Sequence, residues 1–322
     1  MPATDETDLL VLRKGTHGTP IEQYAETLRD RLPDRTVELA RTPTAERELI
    51  EDARFVTGMT LEEELLEAAS SLEVFACAYA GTGHLPLDRL RERGVAVTNA
   101  SGVHGPNMGE HVLGAILHFT RRFHVAERRQ RRREWRHYKA HELQGSTVTI
   151  VGLGAIGRAT AERLEPFDVE TIGVRYSPEK GGPTDEVVGF DDEPFEDALA
   201  RTDYLVLACP LTDLTRGLID RDVMITLDPE AVIVNVARGP VIDTDALLEA
   251  LRSSWIRGAS LDVTDPEPLP EDHPLWNVGN VQITPHNAGQ TPRYYDRLAD
   301  IVAENVRRVD DGADELRNQV VP

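Results

Sequence analysis

The 322-residue chain carries 56 acidic against 35 basic side chains, a formal net charge of −21, with 40% hydrophobic residues. This length and apolar content suffice for full cores and favour two domains over one. The charge argues against nucleic acid or an anionic membrane as a partner, because such a surface repels both.

The start, Met1-Pro-Ala-Thr-Asp-Glu-Thr-Asp8, lacks the basic and apolar stretches of a secretory leader. No apolar run approaches the length of a membrane span. Cys77 and Cys209 both lie in apolar runs, which speaks against a disulfide framework or a zinc site. A cytoplasmic protein without a metal is expected. Lys14, Lys139 and Lys180 are the only lysines, and acidic residues spread along the whole chain without forming a tail. That pattern predicts a halophilic protein kept soluble in a salt-rich cytoplasm.

In the first hundred residues, short apolar runs at 9–12, 36–39, 54–56, 72–79 and 95–98 alternate with helical spacing at 19–32 and 61–68. The alternation predicts a parallel sheet covered by helices on both faces. Residues 105–123 read as one long helix between two domains, with Met108, Val112, Ala115, Ile116 and Phe119 as its apolar stripe. The run Arg128-Arg129-Gln130-Arg131-Arg132-Arg133 stands alone in an acidic chain, bounded by Glu127 and Glu134. It reads as a solvated helix face or a subunit contact. Strand and helix alternation restarts at Thr147 and passes through 170–174, 204–208, 232–236, 259–261 and 281–283. A helix over 292–309 and a short tail follow.

The strand that begins at Thr147 runs into Gly152-Leu153-Gly154-Ala155-Ile156-Gly157 and then into a helix. In such a turn the first glycine permits the bend, the second lets a pyrophosphate approach the backbone, and the third lets helix and strand pack closely. A dinucleotide site is therefore expected. The fingerprint calls for a carboxylate after the second strand, where it binds the ribose hydroxyls. Here the strand ends in Arg175-Tyr176-Ser177. A guanidinium pairs with a 2′-phosphate and Ser177 can donate to it, so NADP(H) is expected in preference to NAD(H).

Three later strands each end in polar residues suited to chemistry: Val236-Ala237-Arg238, Asp262 followed by Glu267-Pro268, and His286-Asn287-Ala288-Gly289. Ligands bind at this edge of an open parallel sheet. Reducing a 2-oxo acid needs a cation to hold the carboxylate and polarise the carbonyl, and an acid to protonate the oxygen. Arg238 suits the first task through its planar fork and His286 the second, with a carboxylate such as Glu267 to fix the imidazole tautomer.

Taken together, these segments resemble the D-isomer-specific 2-hydroxyacid dehydrogenase family, from the glycine turn near residue 81 to the His286 motif and most densely over 145–290. The resemblance implies an α/β fold of two doubly wound parallel-sheet domains, Rossmann- or flavodoxin-like, with a cleft between them. It implies a substrate domain of residues 1–103 with 291–322 and a dinucleotide-binding domain of residues 104–290. Arg238, Glu267 and His286 would be the catalytic trio. Asp262 and Met108 would lie near the nicotinamide, Cys209-Pro210 would touch the cofactor, and Val236, Ala237 and Gly289 would border it. The N–H groups of Thr82 and Gly83, in Ala80-Gly81-Thr82-Gly83, would bind the substrate carboxylate. A homodimer with residues 121–142 as an arm is expected too.

Arg175 departs from the family's usual acidic residue, and His84 from the frequent Tyr, Phe or Ile. The resemblance points to a 2-oxoacid reductase of haloarchaeal type acting on a small 2-oxo or 2-hydroxy acid. The alternatives are a phosphoglycerate dehydrogenase-type enzyme or a non-catalytic, redox-sensing corepressor-like protein.

Overall fold

The computed structural model describes residues 7–16 and 18–322. The chain divides into two compact units, Met1–Val103 with Gln290–Pro322, and His104–Gly289.

Five parallel strands build the first unit: β1 (Leu9–Val11), β2 (Val37–Leu39), β3 (Phe55–Gly58), β4 (Val74–Cys77) and β5 (Ala96–Thr98). The sheet order β2-β1-β3-β4-β5 is the flavodoxin-like doubly wound arrangement. Alternate side chains feed two cores, with Leu9, Val11, Phe55 and Val74 on one face and Leu10, Val56, Phe75 and Cys77 on the other. The helix Tyr294–Asp310 buries Tyr295, Leu298, Val302 and Val306 and returns to the helix Ile21–Arg31, where Tyr24 and Tyr295 stack with ring centroids 4.9 Å apart.

The C-terminal residues are more than a tail. Gln319–Val321 forms an antiparallel strand on β5, pairing Gln319 with Thr98 and Val321 with Val97. Three residues are too few to show a period-2 pattern in sequence.

Seven parallel strands form the second unit: β6 (Thr147–Val151), β7 (Glu170–Val174), β8 (Glu186–Val188), β9 (Tyr204–Leu207), β10 (Val232–Asn235), β11 (Gly258–Leu261) and β12 (Val281–Ile283). Their order is β12-β11-β10-β9-β6-β7-β8, so strand order reverses between β6 and β9. β6, β9, β10 and β11 are buried along their whole length, as strands covered on both faces must be. β8 escaped the sequence reading because two of its three residues are only half-buried and its apolar run is too short to register.

The helix read over 105–123 stops earlier. Gly105–Thr120 is one helix, Arg122 takes a left-handed φ of 53°, and Phe123–Arg131 is a second helix. The Thr120 carbonyl accepts from the His141 N–H at 2.9 Å, which takes it out of a continuing helical ladder. The apolar stripe also ends at Phe119, so further turns in that direction would bury nothing.

Among the described residues no helix is long and apolar enough to cross a membrane. No group of three or more His, Cys, Asp or Glu among them could hold a metal ion.

Candidate active site

β6 enters the glycine turn at the point where strand order reverses, where open α/β sheets bind ligands. Gly152 has φ of +100°, and a Cβ there would lie 2.7 Å from Cys209 Cα and 2.8 Å from the Ala208 carbonyl oxygen. At Gly157 a Cβ would sit 1.9 Å from the Gly152 oxygen, a contact no side chain could make. The second glycine of the turn differs: nothing lies within 4 Å of a Cβ at Gly154, so this face of the turn is open. The helix Ala155–Leu164 starts there, and its first N–H groups have no partner within the helix. An open backbone face leading into a helix N-terminus fits a pyrophosphate. Leu153 points inward and is buried, while Ala155 is exposed and Ile156 half-buried at the mouth of the turn.

At the end of β7, Arg175 Nη1 donates to the Gly181 oxygen at 2.6 Å, so the guanidinium is anchored in its own loop. Tyr176 is 84% exposed and Ser177 half-buried. Cys209 follows β9 and is packed behind Gly152. Burial pushes its thiol up to about 11. Pro210 is exposed, and its carbonyl accepts from the Thr215 hydroxyl at 2.6 Å, a tie the sequence reading did not identify.

The ends of β10, β11 and β12 bring three candidate side chains into one unit. Asn235, 1% exposed at the end of β10, orders the Arg238 turn: its Oδ1 accepts from Ala237 N at 3.0 Å and its Nδ2 donates to the Arg238 oxygen at 3.1 Å. Val236 and Ala237 are buried beneath that turn, whereas Arg238 is exposed and donates from Nη1 to the Ala237 oxygen at 2.6 Å. A Cβ at Gly239 would lie 1.9 Å from the Thr264 oxygen, so the Arg238 turn packs directly on the segment leading to Glu267.

His286 Nδ1 lies 2.6 Å from Glu267 Oε1. An ionised carboxylate can only accept, so Nδ1 carries the proton and Nε2 is left as the other ring nitrogen. Both side chains are substantially exposed. His286 itself takes φ of 52°, an uncommon conformation for a residue with a side chain.

The surrounding hydrogen bonds hold that conformation. The His286 N–H donates to the Asp262 carbonyl at 2.8 Å and to the Thr284 carbonyl at 3.0 Å. Asp262 is 3% exposed, and its carboxylate accepts from Asn287 N at 2.8 Å, Ala288 N at 2.9 Å and the Thr284 hydroxyl at 2.6 Å. Asn107 Nδ2 donates to the Ala288 oxygen at 2.7 Å. Asp262 thus spends its carboxylate on the backbone that carries His286, next to Gly289. Met108 lies in the buried core with Val112 and Ile116. Asn107, Asn235 and the clamping role of Asp262 were not visible in the sequence, where their backbone partners leave no residue pattern.

In the first unit, Gly81-Thr82-Gly83 follows β4 as a turn closed by Leu85 N to the Thr82 oxygen at 3.0 Å. Gly81 and Gly83 are exposed, with nothing within 4 Å of a Cβ at either. Asn99 Nδ2 braces the turn through the Ala80 oxygen at 2.8 Å.

A glycine turn of this kind at a reversal of strand order defines the dinucleotide-binding class of Rossmann domain. Residues 113–288 match the family model described as D-isomer specific 2-hydroxyacid dehydrogenase, NAD binding domain. The chain belongs to that family, whose members are oxidoreductases acting on CH–OH groups with NAD(P). A glyoxylate reductase of Thermofilum pendens is 35% identical over 253 residues, covering 76% of this chain and 74% of its own. A D-3-phosphoglycerate dehydrogenase of Mycobacterium leprae is 36% identical over 277 residues, 85% of this chain, which spans about half (51%) of that relative's length. Among solved structures, the D-isomer specific 2-hydroxyacid dehydrogenase of Xanthobacter autotrophicus Py2, in complex with NADPH and MES, is 29% identical with a TM-score of 0.76 and covers 98% of each chain.

Proposed function

We propose that the chain is a 2-oxoacid reductase, reversible as a D-2-hydroxyacid dehydrogenase, that acts on a small 2-oxo or 2-hydroxy acid and prefers NADP(H). The observation that carries this reading is the 2.6 Å contact between His286 Nδ1 and Glu267 Oε1 beside the Arg238 turn. Glu267 holds the Nδ1 proton, which directs Nε2 to the reacting oxygen. During reduction the His286 imidazolium gives its Nε2 proton to the C2 oxygen and is left as the Nδ1–H tautomer, whose free Nε2 takes the hydroxyl proton back during oxidation. Arg238 binds the carboxylate and the carbonyl oxygen, so its charge opposes the negative charge that develops there. When bound, the nicotinamide supplies or takes up the hydride. The N–H groups of Thr82 and Gly83 enter this reading as carboxylate donors.

NADP(H) preference rests on Arg175-Tyr176-Ser177 at the end of β7, where no carboxylate is present to repel a 2′-phosphate. The NADPH bound by the Xanthobacter relative supports the same choice. Homodimerisation through residues 121–142 is part of the proposal, supported by Trp135, which is 101% exposed on that segment. A cytoplasmic location and salt-adapted surface complete it. A phosphoglycerate dehydrogenase-type enzyme is the second reading, favoured by the Mycobacterium leprae relative.

Absorbance at 340 nm tests these readings in salt-rich buffer, with NADPH and then NADH, against pyruvate, 2-oxobutyrate, longer 2-oxo acids, glyoxylate, hydroxypyruvate and 3-phosphohydroxypyruvate. Oxidation with a short 2-oxo acid supports the reductase, and a marked preference for 3-phosphohydroxypyruvate supports the second reading. A lower KM and higher kcat with NADH than with NADPH would refute the role given to Arg175. Cofactor binding without turnover on any acid would point instead to a sensing protein.

A further inference from the structure

We propose that the second unit holds a separate anion site, at the sheet edge opposite the glycine turn, that takes the phosphoryl or sulfate-type oxyanion of a small ligand. The site is a cleft of about 380 Å³ lined by Arg122, His124, Arg128, His141, Arg257 and, as its one carboxylate, Glu230, over a floor that includes Phe119. Glu230, Arg257 and Asn280 stand at the amino ends of β10, β11 and β12, whereas the glycine turn and His286 lie at carboxyl ends. The cleft is therefore remote from the proposed chemistry within the same unit, and because Arg122, His124, Arg128 and His141 belong to the segment proposed for the dimer contact, it lies beside that contact.

Its chemistry is unusual for a chain of net charge −21. Three guanidinium groups face one carboxylate. Arg257 is held firmly, with Nε donating to the Glu230 carbonyl at 2.8 Å, Nη2 to the Tyr204 hydroxyl at 3.2 Å, and its carbon 5.6 Å from the Tyr204 ring centroid. The side chain is 16% exposed, yet Nη1 is buried without a hydrogen-bond partner. His124 Nδ1 is buried without one as well. A buried donor left unpaired costs free energy, more when it is charged, so such atoms call for a ligand or water. Arg257 Nη1, set with Arg122 and Arg128 in one basic cleft of ligand-binding size, favours an oxyanion, whose several acceptor oxygens can meet donors from different directions. The cleft also gives the basic run a use. Arg128, its first residue, lines the wall and donates to the Gly279 oxygen at 3.2 Å, while Arg131 to Arg133 are exposed.

The histidines make binding pH-dependent. His124 is pushed down to about 4, first by burial and then by His118, Arg128, Arg122 and Arg257. Burial lowers His118 and His141 too, opposed by Glu127 and Glu230 respectively. An anion in the cleft offsets the repulsion from these cations and favours protonated His124. By linkage, affinity then rises as pH falls.

The test uses the full chain with its nucleotide site saturated by whichever of NADPH and NADH binds more tightly, so that added anions cannot occupy the pyrophosphate turn. Sulfate keeps one charge state across the range and is titrated from pH 7.5 to 5.5, with chloride at matched ionic strength as control, by calorimetry and by ¹⁵N-histidine NMR. We expect saturable binding that strengthens at lower pH and shifts the His124 and His141 rings. Affinity should weaken about tenfold or more in Arg128→Gln, as loss of a charged hydrogen bond predicts. Arg257→Gln should do the same, and Arg122→Gln serves if that variant fails to fold. Glycerol 3-phosphate binding more tightly than inorganic phosphate would assign the site to an organic phosphate, and equal affinity to the free ion. Unchanged affinity in Arg128→Gln, or ring shifts that chloride reproduces without saturation, would overturn the proposal.

Discussion

The main-chain carbonyl of Asp262 accepts from the N–H of His286 at 2.8 Å, while the same residue's carboxylate accepts from the two N–H groups that follow His286. One buried side chain at the end of β11 therefore fixes the left-handed turn that presents the proposed acid. Asp262→Asn should keep one acceptor and set its amide N–H₂ against a backbone N–H, donor to donor. We expect a loss of about 1–3 kcal/mol in stability, from the donor left unsatisfied. The fall in kcat should exceed the change in cofactor affinity, because the glycine turn is not part of this network. Thermal melts and steady-state kinetics check both, and an Asn variant with normal kcat would show that the clamp does not govern His286.

The Glu267–His286 pair predicts a graded pair of defects. His286→Ala should lose roughly 10²-fold or more in kcat, the usual contribution of a general acid, with cofactor binding intact. Glu267→Gln keeps an acceptor oxygen but removes the charge, so its loss should be smaller, on the order of tenfold, as expected when a charge-assisted hydrogen bond becomes a neutral one. Arg238→Lys should also fail, since an ammonium cannot reproduce the fork. Measured kcat values that place Glu267→Gln below His286→Ala would reverse the roles.

Much of this site could be read from the chain because its parallel strands are buried on both faces, so β9 appears as an unbroken apolar run, and β6 and β10 as runs interrupted only by Thr147, Thr149 and Asn235, with polar residues just beyond them. Position at a strand end then made Arg238, Glu267 and His286 candidates. What escaped was the support beneath them. Asn235, Asp262 and Asn107 bond mainly to backbone groups, in two cases 25 residues or more away, and the sequence records side chains rather than which peptide groups they meet. The same limit hid the end of the helix at Thr120, which depends on a carbonyl captured by His141 N from 21 positions further on.

Cys209 offers a prediction with a definite sign. Burial raises its thiol from 9.0 to about 11, so the folded state favours the neutral form. The associated stability is fully present below about pH 9, where the unfolded thiol is still protonated, and is lost as pH climbs through about 11. Cys77 is raised in the same direction by burial. Alkylation of either thiol at pH 8 should be far slower in the folded protein than after denaturation. Rapid modification of the native protein would mean that the packing of Cys209 behind Gly152 opens readily.

Salt acts on this molecule in two opposed ways, and the balance can be predicted. Exposed pairs such as Arg41–Glu22 and Arg308–Glu304 weaken as ions screen them, but pairs of this kind are worth about 0–1 kcal/mol each. Against them stands a net charge of −21, whose self-repulsion opposes the compact state and is screened by the same ions. The Debye length falls from about 10 Å at 0.1 M to about 3 Å at 1 M, short enough to separate most neighbouring surface carboxylates. Repulsion relief should win, so the melting temperature should rise between 0.1 and 2 M KCl by about 5 °C or more, equivalent to roughly 2 kcal/mol for domains of this size. Differential scanning calorimetry at a fixed scan rate measures it. A flat or falling melting temperature would mean that the ion pairs hold more of the stability than the net charge removes, and the salt-adapted reading would then be abandoned.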